Sequence, residues 1–289
     1  MTATVPFEKY HGTGNDFLLV DAAAAVGDRS ALAVRECDPE SGVGADGILF
    51  LDLDPAGDGT PRVGMTLVQP DGGTAPMCGN GARCAAAWAM ERTGGDEVVV
   101  DTEAGARRAR RTDEGVAVEM GAPTFAPREV PVDAAEPVVE REIAGLEVTA
   151  LNTGVPHAVA FVEDVDAVAL GAVAPPVRRA DAFPRGTNVT LASPDGDGFR
   201  QRTFERGVEG ETDACGTGAV AVAAVARRLG LTDADAISVR PPGGDLAIRF
   251  VDGGREGEGD GEVWLSGAVE REFDGELAPA SAGSGTREP

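Results

Sequence analysis

Two short stretches constrain this chain more than anything else in it. Met77-Cys78-Gly79-Asn80-Gly81-Ala82-Arg83-Cys84 runs into Ala85-Ala86-Ala87-Trp88-Ala89-Met90. Ala214-Cys215-Gly216-Thr217-Gly218 runs into an alanine- and valine-rich segment that ends at Arg227-Arg228. Each puts a cysteine beside a Gly-x-Gly turn and then opens a segment of high helix propensity. Glycine lets the backbone turn tightly and come close to a ligand. The first N–H groups of a helix are unpaired and carry partial positive charge, which favours anions and lowers the pKa of a neighbouring thiol. One such cysteine alone reads equally well as a small buried apolar residue. Two in matched settings point to two activated thiols that serve one carboxylate-bearing substrate.

The rest of the chain repeats around these units. Thr13-Gly14 leads an apolar strand at 17–20, and Thr153-Gly154 leads another at 158–161. Gly44-Ala45-Asp46 precedes a strand at 48–51, echoed by Gly186-Thr187-Asn188 before 189–191. Cys78 and Cys215 then follow, each opening its helix. Three blocks in one order, offset by about 140 residues, indicate a duplicated domain and not a short-period solenoid. Further strands are predicted at 5–10, 62–68, 97–102, 107–111, 116–120, 237–240, 246–251, 263–266 and 269–273. A short helix is predicted at 30–37, with Asp28 or Ser30 as its cap. Loops are expected at 52–61 and 255–261. The first half is drawn as 1–122, carrying Cys78 and completed by a closing strand at about 263–275. The second half is drawn as 123–262, carrying Cys215, with 276–289 as a disordered tail.

At 289 residues the chain suits one large or two modest α/β domains. Its formal net charge of -24, from 49 Asp and Glu against 25 Lys and Arg with Lys9 the only lysine, excludes nucleic acid and anionic lipid as natural partners. The acidic residues are spread along the chain, as in a solvated shell suited to a salty cytosol. Four cysteines are too few for a disulfide scaffold and lack the paired spacing of a zinc site. The N-terminus has no signal-peptide pattern and no apolar span reaches membrane length, so a cytoplasmic, soluble protein is expected.

The chain resembles the diaminopimelate epimerases. The resemblance runs from about residue 7 to 276. It rests, in order, on His11-Gly12-Thr13-Gly14-Asn15-Asp16-Phe17, Met77 to Cys84, Pro156-His157, Asn188-Val189, Glu205-Arg206-Gly207 and Ala214 to Gly218. It implies a mixed α/β (α+β) fold of two pseudo-symmetric domains, each a mixed sheet wrapped around a central helix, with the active site in the cleft between them. It also implies an isomerase free of pyridoxal phosphate or any other cofactor or metal, interconverting LL- and meso-diaminopimelate in lysine and cell-wall precursor biosynthesis. By family analogy the assembly is a homodimer.

Inversion at a carbon needs a base on one face and an acid on the other, and thiols tuned near neutrality suit both roles. The resemblance assigns these roles to Cys78 and Cys215. Backbone N–H groups of Gly79, Asn80, Gly216 and Thr217 would hold the α-carboxylate of the intermediate. Glu205 and Arg206 would bind substrate amino and carboxylate groups, Arg206 by a bidentate pair. His157 would assist a cysteine, as would Glu205, and Asn15, Asn188 and Gln69 would meet the distal end of the substrate. Gln69 and Val155 depart from the asparagines common in the family, and Val155 offers no side-chain hydrogen bond. His11, Cys37 and Cys84 are expected to be structural. The alternatives are a proline or hydroxyproline racemase of the same fold, and a non-enzymatic thiol-redox switch.

Overall fold

The computed structural model describes residues 4–55, 59–251 and 261–279. It divides into two compact units, residues 1–116 with 269–289, and residues 117–268.

In the first unit, β1 (Val5–His11) pairs antiparallel with β2 (Asp16–Asp21), and β2 runs parallel to β3 (Gly47–Asp54). Between them lies α1 (Arg29–Glu36), capped by Asp28, whose carboxylate accepts from the Ala31 N–H. β3 pairs antiparallel with β4 (Arg62–Val68), and β4 with the short β5 (Thr74–Ala75). The helix α2 (Gly79–Thr93) follows and returns the chain to β6 (Glu97–Thr102), parallel to β4, which turns back as β7 (Gly105–Thr112). The last strand of the chain, β18 (Glu270–Leu277), closes the unit against β1.

The second unit follows the same plan. It contains most of β8 (Gly115–Gly121) and the short β9 (Arg141–Ile143), which pairs with β10 (Leu146–Asn152). β10 pairs antiparallel with β11 (Pro156–Phe161), which runs parallel to β12 (Asn188–Asp195), and α3 (Leu170–Arg178) lies between those two strands. β12 pairs antiparallel with β13 (Gly198–Glu205), and β13 with β14 (Gly210–Thr212). Then α4 (Gly216–Arg228) leads to β15 (Ala236–Arg240), parallel to β13, and the chain meanders through β16 (Leu246–Val251) to β17 (Glu262–Gly267). Each helix that follows a cysteine therefore fills the crossover between two parallel strands, as parallel pairing demands. The protein is a mixed α/β, sheet-dominated fold of two pseudo-symmetric domains.

The central helices are apolar almost all round because strands surround them. Gly79 to Met90 of α2 are all buried, as are Gly218 to Ala226 of α4. The parallel strands β2 and β3 are covered on both faces, which explains their unbroken apolar runs. Leu18, Val20, Ile48 and Phe50 pack with Leu32 and Ala33 of α1, while Phe17 and Leu49 face Gly81 of α2. The equivalent cluster of the second unit joins Leu170, Ala174 and Val177 of α3 to Val189 and Leu191.

Four sequence expectations are revised. The segment 263–275, drawn whole into the first half, is divided between the units: β17 pairs with β16 in the second, and β18 pairs with β1 in the first. The first unit's continuous stretch ends at Val116, short of the boundary drawn at 122, because residues 117–121 belong with the second unit. The strand β3 runs on to Asp54, through the start of the expected loop, and β18 runs through Leu277 into the start of the expected tail. The rest of that tail, from 280, and residues 255–260 of the expected hairpin loop lie outside the described residues.

Candidate active site

Cys78 is the N-cap of α2, with φ -141° and ψ 118°, and its Sγ accepts from the Gly81 N–H at 3.4 Å. Gly79 and Asn80 form the buried first turn of the helix. The Asn80 amide donates to Asn15 Oδ1 at 2.7 Å and to the Thr13 carbonyl at 3.3 Å. Arg83, wholly buried on the same helix, donates to Thr13 Oγ1 at 2.8 Å. The helix thus clamps the glycine-rich turn after β1, where Thr13 holds a left-handed φ of +48° that a β-branched residue adopts only when its surroundings enforce it. Asn15 Nδ2 donates in turn to Asp46 Oδ2 at 3.2 Å. With its oxygen taken by Asn80, Asn15 has one amide N–H left for a ligand. His11 accepts from the Gly14 N–H at 3.2 Å and serves the turn. Gln69 sits in the turn after β4, where its backbone N–H donates to the Gly73 carbonyl at 2.8 Å.

Cys215 is the N-cap of α4, with φ -133° and ψ 99°. Around it runs a closed ring of hydrogen bonds that the sequence did not disclose. Cys215 Sγ lies 3.5 Å from Thr217 Oγ1, and that hydroxyl lies 3.0 Å from His157 Nε2. His157 Nδ1 is 3.2 Å from Thr190 Oγ1, which is 3.2 Å from Thr203 Oγ1. Gln201 Nε2 donates to Thr203 Oγ1 at 2.9 Å and to the Cys215 carbonyl at 3.1 Å, closing the ring. The parity of β13 sends Gln201 and Thr203 to the same face. Polar residues at alternate positions of an otherwise buried strand were the signal that could have found them.

The second glycine of the motif is explained by this ring. A Cβ on Gly218 would fall 2.7 Å from Gln201 Nε2 and 3.1 Å from Thr203 Oγ1. Gly218 is needed for packing inside the unit, where the sequence suggested approach to a ligand.

Asn188 joins the ring to the substrate-binding candidates. Its Nδ2 lies 3.3 Å from His157 Nε2, and its Oδ1 accepts from the Arg206 N–H at 2.8 Å. As with Asn15, one amide N–H remains. Glu205, at the end of β13, accepts from Thr212 Oγ1 at 2.6 Å. The turn that follows is held by the Glu209 N–H on the Glu205 carbonyl at 2.8 Å. The structure therefore gathers Cys215, Gly216, Thr217, His157, Asn188, Glu205 and Arg206 in one unit, and Cys78, Gly79, Asn80 and Asn15 in the other. Gln69 makes no side-chain bond to the latter group among the described residues.

The electrostatics correct one expectation. Burial, and then the Glu205 carboxylate, push the Cys215 thiol well above its ordinary range, although Thr217 and the Gly218 N–H pull the other way. Loss of hydration outweighs the helix N-terminus at this sulfur. Burial also raises the Glu205 carboxyl. His157 is pushed down to about 3 by burial and by Arg206, so it is a neutral imidazole. Cys37 and Cys84 are buried and pushed up to about 12, Cys37 at the end of α1 and Cys84 inside α2. Both are unreactive thiols at neutral pH.

The architecture is shared with a phenazine biosynthesis protein of the PhzF family from Bacillus anthracis, at a TM-score of 0.65 over 95% of this chain and 99% of that one. At 16% identity this likeness defines the fold alone. Sequence relationships define more. The family model described as diaminopimelate epimerase matches residues 7–126 and 149–265. The diaminopimelate epimerase of Methanocella arvoryzae is 42% identical over 281 residues, covering 93% of this chain and 98% of its own. That of Methanothrix thermoacetophila is 44% identical, covering 84% and 88%. The chain belongs to the diaminopimelate epimerase family and is an isomerase of the epimerase type. The family assignment goes against the proline-type racemase and the non-enzymatic switch. No helix among the described residues is long and apolar enough to cross a membrane.

Proposed function

We propose that this chain interconverts LL- and meso-diaminopimelate by two-base proton transfer at the α-carbon, with Cys78 and Cys215 as the two bases. The observation that carries the reading is the matched placement of these cysteines. Each caps a buried central helix, with the Gly81 N–H directed at the Cys78 sulfur and the Gly218 N–H at that of Cys215. One cysteine as thiolate removes the α-proton, and the other as thiol returns a proton to the opposite face. The carbanion's charge passes to the α-carboxylate, which the N–H groups of Gly79, Asn80, Gly216 and Thr217 receive. Preorganised donors of this kind are each worth about 3 kcal/mol in a transition state.

Cys215 rests as the thiol, because burial and Glu205 both favour its protonated form. Glu205, a stronger base for being buried, takes that proton when Cys215 must act as the thiolate. His157 keeps Thr217 and Asn188 in place as a neutral hydrogen-bonding group. Arg206 holds a substrate carboxylate, and Asn15, Asn188 and Gln69 meet the distal group. The enzyme would serve lysine and cell-wall precursor synthesis as a cytoplasmic homodimer, its acidic surface suited to a salty interior.

The test is proton exchange followed by NMR in D₂O. Wild type exchanges the α-proton of diaminopimelate and interconverts its stereoisomers. Cys78→Ser and Cys215→Ser each abolish turnover with the fold retained, while Cys84→Ser, altering only a packed thiol, is nearly silent. Wild-type turnover in either of the first two variants refutes the two-base reading.

A further inference from the structure

The second unit concentrates arginine in one corner of a chain that is otherwise strongly acidic. Gly186 is its centre. It has a φ of +67°, and a Cβ there would fall 1.8 Å from Arg178 Nη1 and 2.8 Å from the carbon of that guanidinium. The Arg178 guanidinium therefore packs directly on the glycine. On the carbonyl side, Arg206 Nη1 donates to the backbone oxygens of Arg185 and Gly186 at 3.2 and 3.5 Å. Arg179 joins through Glu209, whose two oxygens accept from Arg178 at 2.6 Å and from Arg179 at 2.9 Å. Glu205 and Glu209 are the acids bonded into this corner, so four guanidiniums leave it net positive.

Arg178 and Arg179 share the single negative charge of Glu209. Arg185 does not: it is exposed, and its side chain makes no hydrogen bond or ion pair among the described residues. After burial, repulsion from Arg178 and Arg185 pushes the Arg206 pKa down, because these like charges lie within reach of one another. We propose that Arg178 and Arg185 form, with Arg206, a cationic corner that captures a substrate carboxylate by its field, and that Arg185 sets the strength of capture without taking part in the chemistry. This rests on the reading of Arg206 as the carboxylate-binding residue.

The corner is tested with Arg185→Gln and Arg185→Lys. Both kcat and KM for diaminopimelate are measured in 0.1 M and 1 M KCl, together with calorimetric binding of pimelate, a dicarboxylate of the same chain length without amino groups. One unit charge acting across water over several ångströms is worth about a three-fold change in capture at low salt. R185Q should raise KM about three-fold in 0.1 M KCl with kcat unchanged, and R185K should match wild type. The difference should shrink in 1 M KCl, where the Debye length is about 3 Å. Pimelate affinity should fall in parallel. An unchanged KM in R185Q, a loss equally large in R185K, or a difference that persists undiminished in 1 M KCl overturns the corner. If pimelate binding depends on Arg185 but the α-proton of diaminopimelate never exchanges, the corner stands and the proposed reaction falls. Exchange with capture that ignores Arg185 overturns the corner alone.

Discussion

His157 offers the most direct check on the site's electrostatics. Its ring is wholly buried, with Nδ1 on Thr190 and Nε2 between Thr217 and Asn188. Desolvation first, and Arg206 second, lower its pKa from 6.5 to about 3. The sign follows from proton linkage. Between these two values the unfolded chain binds a proton at this histidine and the folded chain does not, so acid favours unfolding. Stability from this group is whole above pH 6.5 and is lost progressively toward pH 3. At about 1.4 kcal/mol per pH unit, the full loss is about 5 kcal/mol. The bulk of the chain responds the other way at first, because protonating carboxylates relieves the repulsion of a net charge of -24. A variant separates the two effects. Urea unfolding of wild type and His157→Gln across pH 7 to 5 should give a wild-type slope of stability against pH that is more positive by up to about 1.4 kcal/mol per pH unit near the acid end. The chain has two histidines, so the resonance missing from the variant assigns His157 in the wild-type proton spectrum. That resonance should not titrate down to pH 5. Parallel slopes, or a midpoint near 6.5 in the NMR titration, would refute the claim that this imidazole is held neutral.

The Thr217 hydroxyl links the Cys215 sulfur to that imidazole, so Thr217→Val should lower kcat at least ten-fold with little change in KM. Its loss of one buried neutral hydrogen bond should reduce stability by about 1 kcal/mol, read by urea unfolding; an unchanged kcat means the hydroxyl only fills space. The acidic shell predicts a thermal midpoint that rises with KCl. Surface repulsion is screened as the Debye length falls from about 10 Å at 0.1 M to about 3 Å at 1 M. A midpoint that is flat or falling over that range assigns the acidic residues another purpose.

The sequence by itself determined the elements whose signal is local. Helix propensity and the Cys-Gly-x-Gly turns marked α2 and α4, and the apolar runs at 17–20 and 48–51 marked two strands, which the structure covers on both faces. The order of the blocks showed the duplication, because a repeated plan repeats its turn chemistry. Several elements lacked such a signal. α3 carries Pro175 and Pro176 inside nine residues, which reads as a break, yet its apolar face packs on β12 and its neighbours. β13, rich in Arg, Gln and Thr, has a mixed pattern that becomes sensible only once Gln201 and Thr203 meet the start of α4.

The candidate site divides in the same way. Cys78, Cys215 and the glycines beside them were legible as chemistry-bearing types at motif spacing, while Glu205 and Arg206 stood out only through the family resemblance. Their ionisation was not, because a helix N-terminus and a buried setting shift a thiol in opposite directions, and only the packing decides which prevails. At Cys215 burial and Glu205 prevail. The hydrogen-bond ring through Thr190, Thr203 and Gln201, and the meeting of Arg178 with Arg206 at Gly186, join residues on different strands, helices and turns. Spacing along a chain carries no information about such contacts; they exist because β11, β12 and β13 lie side by side in the sheet and α4 packs against all three.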